Sequence, residues 1–293
     1  MAKKQGYGNE SIKSLKGAER VRKRPAVIFG SDGIEGCEHS IFEIMSNSID
    51  EAREGYGKKI IITKYLDGSV EVQDFGRGIP VDYNKNEGKF NWELLFCEMY
   101  AGGKYDNGGD NYEFSLGLNG LGLCATQYAS EYMDAEIKSG GYKYTLHFEH
   151  GENVGGLVKE EYKKRGDTGT RIKWKPDLKV FTDINIPVEY FEETIKRQAI
   201  VNDGIKFVFK NQISSASFDT KEYCYENGIQ DYVKDIAGDK AFTTPQYWEC
   251  ERVGKDREDL NEYKLKIKAS LCFSLDTQLK EYYHNSSFLE HGG

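Results

Sequence analysis

Seven glycines fall within the 22 residues from Ala101 to Gly122, AGGKYDNGGDNYEFSLGLNGLG. A stretch this glycine-rich and polar cannot pack as a core strand or helix. It can turn sharply or bring backbone close to a ligand. The packed fold must therefore come from the sequence on either side. The last part, Leu116 to Gly122 (LGLNGLG), runs directly into helical sequence, LCATQYASEY. Its backbone amides and that helix N-terminus can then face phosphate groups. Lys104 stands at the other end, placed to neutralise phosphate charge. Taken alone, the loop reads equally well as a flexible linker.

The flanks supply the elements. Ser11 to Arg24 has helical periodicity through Ile12, Leu15, Ala18 and Val21, and Pro25 stops it. A glycine-rich turn from Gly30 to Gly36 leads into EHSIFEIMSNSIDEAREG, a helix closed by Gly55. KKIIITKYLDGSVEVQDFG reads as strand, Asp67-Gly68 turn and strand. Residues 132–175 alternate as strands, with turns at Gly140-Gly141 and Gly155-Gly156. A helix from Val188 to Ile200 precedes the strand IKFVFK. A new unit begins around Tyr223 to Gly228, with a helix over 229–237 and long strands such as EYKLKIKASLCFSL. The chain stops at FLEHGG, mid-loop, as a protein cut before its natural end would.

Three further pieces carry chemistry. Glu43, Asn47 and Asp50 are spaced i, i+4, i+7 and share one stripe of a helix, with Ile41, Met45 and Ala52 on the opposing face. A carboxylate and a carboxamide so placed can hold a water and a hydrated Mg²⁺, as general base and metal ligand respectively. Asp74, in VQDFGRGIP, ends a strand and is followed by Gly76 and Gly78. Its carboxylate can accept from adenine N6 and disfavours guanine, whose O6 would face it. Thr170, in Thr168-Gly169-Thr170, could back Asp74 from behind. Each alone has a plain structural reading, as a solvated stripe, a turn aspartate and an ordinary turn.

Other chemistries drop out. The chain has neither a G-x-x-x-x-G-K-[ST] loop nor a G-x-G-x-x-G after a strand. Asp74-Phe75-Gly76 spells a kinase motif, but no H-R-D loop precedes it. Six cysteines lie far apart with no C-x-x-C pair, which suggests neither zinc nor disulfides. A net charge of −8 argues against wrapping nucleic acid over a broad surface, though Arg20, Arg22, Lys23 and Arg24 cluster. No apolar run is long enough to span a membrane, and the start lacks a signal-peptide segment, so the expected location is cytoplasmic.

Taken in order, E-x-x-x-N-x-x-D, D-x-G-x-G, G-x-x-G-x-G and T-G-T resemble the GHKL ATPases. LKGAERVRKRP, IFEIMSNSIDEA, VQDFGRGIP, MYAGGKYD, LGLNGLG and FEHG narrow the resemblance to type IIA DNA topoisomerase B subunits of the gyrase B and topoisomerase IV kind. It runs over nearly the whole chain, and VRKRP with AGGK is specific to that branch. Histidine kinases need a phosphoacceptor helix that none of the five histidines provides. A nucleotide-binding or dimerisation module without catalysis is the competing reading, and Glu43 argues against it because binding alone needs no base.

The resemblance implies an α+β fold. A GHKL (Bergerat) ATPase sandwich over residues 1–221, with helices on one face of a mixed eight-stranded sheet, would be followed over 222–293 by the start of a ribosomal-S5-like transducer. It implies ATP and Mg²⁺ as cofactors, Glu43 as catalytic base and Asn47 as Mg²⁺ ligand. Asp74 would read adenine with Gly76, Ile79, Pro80 and the supporting Thr170. Arg77 would pair with Asp50 or Glu51 beside that pocket. Gly117, Leu118, Asn119, Gly120, Leu121, Gly122 and Leu123 would wrap the phosphates, aided by Lys104 and Tyr112. Tyr7 would touch nucleotide bound by a second copy of the chain, and Ile12 would seal that dimer. The A subunit and double-stranded DNA would be the further partners, with no membrane involved.

The departures are specific. Leu116 and Asn119 replace a glycine and a histidine of the usual loop, Phe75 replaces a polar residue, and Ala26-Val27-Ile28-Phe29-Gly30 replaces G-M-Y-I-G. Ser139 stands where the family often carries an arginine used by aminocoumarins, so weaker aminocoumarin binding is expected. No Q-T-K transducer loop occurs before Gly293, so the chain is expected to bind ATP yet turn it over poorly.

Overall fold

A computed structural model of the chain describes residues 14–101, 116, 120–164, 166–255, 257–259 and 262–289. Its centre is an eight-stranded sheet in the order β10-β9-β1-β2-β8-β5-β6-β7. These strands are β1 (Lys59–Lys64), β2 (Val70–Asp74), β5 (Ser130–Ser139), β6 (Tyr142–Glu149), β7 (Glu152–Glu161), β8 (Gly169–Pro176), β9 (Lys206–Ser214) and β10 (Ser217–Tyr223). Every neighbouring pair is antiparallel except β1 with β9, so the sheet is mixed.

Alternation along the strands sorts side chains between two faces. Met133, Ala135 and Ile137 of β5, and Ile172 and Trp174 of β8, point into the core. Asp134, Glu136, Arg171 and Lys173, between them, form a polar open face. Over the apolar face lie α3 (Ile34–Arg53), α5 (Gly122–Tyr128) and α6 (Val188–Val201). Ile41, Ile44, Met45 and Ile49 of α3 are fully buried there, as the 3.6-residue period requires. Phe191 of α6 stacks on Phe209 of β9 with ring centroids 5.2 Å apart. This is the α+β arrangement that the family resemblance implies, with helices on one face of the sheet.

Local differences have local causes. Within the expected Ser11–Arg24 helix, the described residues form a helix only at α1 (Ala18–Lys23), because Gly17 at its N-cap takes φ +49°. Pro25 opens a second short helix, α2 (Pro25–Phe29), where its missing N–H costs nothing. α3 begins at Ile34, inside the expected Gly30–Gly36 turn. α5 ends at Tyr128, and Ser130 to Tyr132 already belong to β5. The second hairpin turns at His150-Gly151, and Gly155-Gly156 lie within β7 beside a shift in its register with β6. The helix α7 (Ile229–Ala237) falls where expected.

Between β2 and α5 the chain adds a small hairpin, β3 (Tyr83–Asn84) with β4 (Lys89–Phe90), and the helix α4 (Asn91–Cys97). Beyond β10, a two-stranded ribbon of β11 (Gln246–Gly254) and β12 (Tyr263–Leu271) and a hairpin of β13 (Tyr282–His284) and β14 (Ser287–Leu289) stay outside the sheet. All six cysteines are free thiols. Among the described residues, no helix is long and apolar enough to cross a membrane.

Candidate active site

The site is built where α3 crosses the ends of β2 and β8. Asp74, the last residue of β2, is buried and held from three directions. Its Oδ1 accepts from the Gly76 and Thr170 amides, each at 3.0 Å. Its Oδ2 accepts from Ser48 Oγ of α3, also at 3.0 Å. Burial pushes the Asp74 carboxyl up, while the three donors pull against that shift. A carboxylate oxygen offers about two lone pairs, so Oδ2 retains one for a ligand donor.

Thr170 does two tasks. Its amide holds Asp74, and its hydroxyl accepts from the Ile79 amide at 3.1 Å, which fixes the turn after Asp74. That turn needs its glycines. A Cβ at Gly76 would lie 2.3 Å from Glu51 Cγ, and Gly78 combines φ +83° with Lys138 O only 2.8 Å from where a Cβ would sit. Pro80 lies exposed at the end of this turn.

Arg77 chooses Glu51, and Glu54 joins it. Nε and Nη2 of Arg77 donate to the two Glu51 oxygens at 2.9 and 2.8 Å, and Nη2 also reaches Glu54 at 2.6 Å. The guanidinium stacks on Tyr56, 3.8 Å from the ring centroid. Asp50, the other expected partner, instead accepts from the Leu116 amide at 2.8 and 3.1 Å.

Glu43 and Asn47 lie half-buried one helical turn apart, as their spacing predicted. Glu43 Oε1 is 3.0 Å from His39 Nε2, and this hydrogen bond raises the His39 pKa. Glu43 Oε2 faces the first residue of α5 so closely that a Cβ on Gly122 would sit 1.8 Å from it. Asn47 Nδ2 donates to the Glu43 carbonyl at 3.1 Å, which leaves its amide oxygen as the end available to a hard cation. Gly120 is tied back by the Tyr100 amide, whose own residue takes φ +67°. Leu121 and Leu123 flank Gly122 and are half-buried.

The fold thus brings Glu43, Asn47, Asp74, Gly76, Arg77, Ile79, Thr170 and the Gly120–Leu123 turn to one place. Tyr7, Ile12, Lys104, Tyr112, Gly117, Leu118 and Asn119 lie outside the described residues. Sequence reasoning missed His39, Ser48, Glu54 and Tyr56. His39 was findable, since i−4 from Glu43 is a contact position on any helix. Ser48 was not, because its partner is 26 residues away on a strand. A cleft of about 1470 Å³ lies elsewhere, between the far end of α3 and the β12 and β13 segments; Asp50 and Glu54 reach its wall, and none of Glu43, Asn47, Asp74 or Thr170 does.

The chain has known relatives. No family model matches the chain. It is 36 % identical over 228 residues to the B subunit of DNA gyrase from Thermotoga maritima, covering 78 % of this chain. It is 37 % identical over 240 residues to the B subunit of DNA topoisomerase 4 from Staphylococcus aureus, covering 80 %. In both cases it spans only about a third (35 %) of the relative's length. Among solved structures it is similar to the 43K ATPase domain of Thermus thermophilus gyrase B in complex with an aminocoumarin, with a TM-score of 0.67 and 29 % identity over 80 % of this chain and 59 % of that one. The topoisomerase IV ATP-binding domain of Francisella tularensis, in complex with a small-molecule inhibitor, aligns with a TM-score of 0.64 and 27 % identity over 82 % of this chain and 65 % of that one.

Proposed function

The chain belongs to the family of gyrase B and topoisomerase IV B subunits, in the region of their ATPase domains, and on that premise we propose that it binds and hydrolyses ATP to drive a type IIA topoisomerase. The observation that carries this reading is the meeting of Glu43 with Gly122. It sets a carboxylate against the turn that opens α5, whose amides and helix N-terminus suit phosphate oxygens.

The chemistry follows from the residues. Asp74 Oδ2 accepts from adenine N6, and its neighbours Ser48, Gly76 and Thr170 keep that carboxylate from turning away. Ile79 and Pro80 continue the turn along the base, and Arg77, locked to Glu51 and Glu54, walls its outer edge. Gly120 to Leu123 present backbone to the phosphates. Glu43 holds a water and takes its proton as the water attacks the terminal phosphorus and the bond to the bridging oxygen breaks, releasing ADP and phosphate, while His39 fixes the carboxylate's orientation. Asn47 Oδ1 would be the protein ligand for Mg²⁺, which when bound would offset phosphate charge. Tyr7, Lys104, Tyr112 and Gly117 to Asn119 complete the set by family resemblance.

The division into an ATPase unit over 1–221 and a transducer unit over 222–293 is part of this reading, supported by the ribbon and hairpin that stay outside the eight-stranded sheet. So are a cytoplasmic location and ATP-driven pairing with a second copy through the N-terminal arm, which would close a gate for DNA strand passage. The A subunit and double-stranded DNA are the partners of that assembly.

Calorimetric titration of the chain with Mg²⁺ and a non-hydrolysable ATP analogue tests the binding part, and ATP turnover of the chain against Glu43→Gln tests the catalytic part. Saturable binding lost in Asp74→Asn, with the weak turnover expected of the chain lost in Glu43→Gln, is the expected result. Binding with no Glu43-dependent turnover would leave a nucleotide-operated dimerisation module.

A further inference from the structure

We infer that Asp50 is a positioning residue for the phosphate end of this site, a role that rests on the nucleotide reading above. Asp50 sits seven residues after Glu43, on the same stripe of α3, and is only 6 % exposed. Both its oxygens accept from the Leu116 amide, at 2.8 and 3.1 Å. A charged acceptor makes such a bond stronger than its neutral counterpart, and burial keeps water from competing for it. Leu116 is half-buried, its side chain packed against the core.

The consequence lies six residues on, at the opening of α5. Gly120 O accepts from the Tyr100 amide at 3.0 Å, and Gly122 abuts the Glu43 carboxylate. One helix therefore holds the chain at Leu116, through Asp50, and lies against it at Gly122, through Glu43. Seven residues of helix rise about 10 Å, and Asn47 lies between the two anchors. Asp50 is not one of the three donors that hold the adenine-reading carboxylate. Its effect on ligand binding is expected at the phosphates, through the placement of Gly120 to Leu123.

The test compares ATP with adenosine, which shares the base and lacks the phosphates. Binding of each is measured by calorimetry to the parent chain, D50A and D50N. Amide exchange at Leu116 and thermal melting are followed without ligand. D50A is expected to weaken ATP at least tenfold, to leave adenosine within twofold, and to speed exchange at Leu116. D50N keeps one oxygen acceptor and is expected to fall between, which also serves if D50A folds poorly. Unchanged ATP affinity with unchanged Leu116 exchange would overturn the role. So would equal weakening of both ligands alongside a lowered Tm, the signature of a purely structural carboxylate. A parent chain that binds neither ligand would overturn the nucleotide reading, and this role with it.

Discussion

His39 Nε2 lies 3.0 Å from Glu43 Oε1, one turn earlier on the same helix. The base is therefore oriented by a group that raises no new backbone demand. His39→Ala should lower ATP turnover by about a hundredfold, near the low end of what a positioned acid–base group contributes. Affinity for a non-hydrolysable analogue should stay within twofold. A matched loss of both in steady-state kinetics would contradict the assignment. The His39 pKa is raised, so the charged pair is present below about pH 6.5 and is lost as pH rises through the raised value.

Adenosine binding should weaken on acidification. The Asp74 pKa is raised by burial, so its carboxylate protonates at a pH above the ordinary value of about 3.9. The protonated form loses the acceptor that N6 needs. Asp74→Asn should cost about 1–3 kcal/mol of adenosine affinity and abolish the acid dependence. A titration series from pH 4 to pH 7 on both proteins checks this, and an unchanged acid limb in the variant would refute it.

Gly122→Ala places a methyl 1.8 Å from Glu43 Oε2. Gly122 is a helix residue whose φ is not positive, so the clash alone is the cost. Turnover should fall to background with Tm lowered by only a few degrees. A fully active alanine variant would show that Glu43 points elsewhere in solution.

Arg22 pins the N-terminal helix to the body. It donates to the Tyr128 and Ser130 carbonyls and pairs with Asp177, which also meets His150 at 2.8 Å. Burial alone would raise the Asp177 carboxyl, but Arg22, the Lys179 amide and His150 hold it below its usual range. That stability is present above about pH 3.9 and is lost as pH falls through the depressed value. Arg22→Ala should cost about 3 kcal/mol at neutral pH, since it strands a buried carboxylate. Denaturant melts at pH 7 and pH 3 measure it, and the difference between the two proteins should shrink at pH 3.

Ser139 ends β5 beside the adenine turn, its Cβ 3.2 Å from where a Gly78 Cβ would sit. With serine in place of the family's arginine, aminocoumarin binding should be weak, and Ser139→Arg should strengthen it at least tenfold. Tight binding to the parent chain in a competition assay would contradict this.

The sequence alone determined the helix of Glu43, Asn47 and Asp50 and the strand that ends at Asp74. These are local facts, set by the period of a helix and the alternation of a strand, whereas glycine is needed at 76 and 78 because Glu51 and Lys138 pack against them. Only the tertiary structure decided who meets whom. Asp74 is held by an amide 96 residues away, and Asp50 by one 66 residues away. Arg77 takes Glu51 over Asp50 because consecutive helix residues point about 100° apart, and Asp50 is turned toward Leu116. Such pairings depend on how sheet and helices pack, and no spacing within a single segment encodes them.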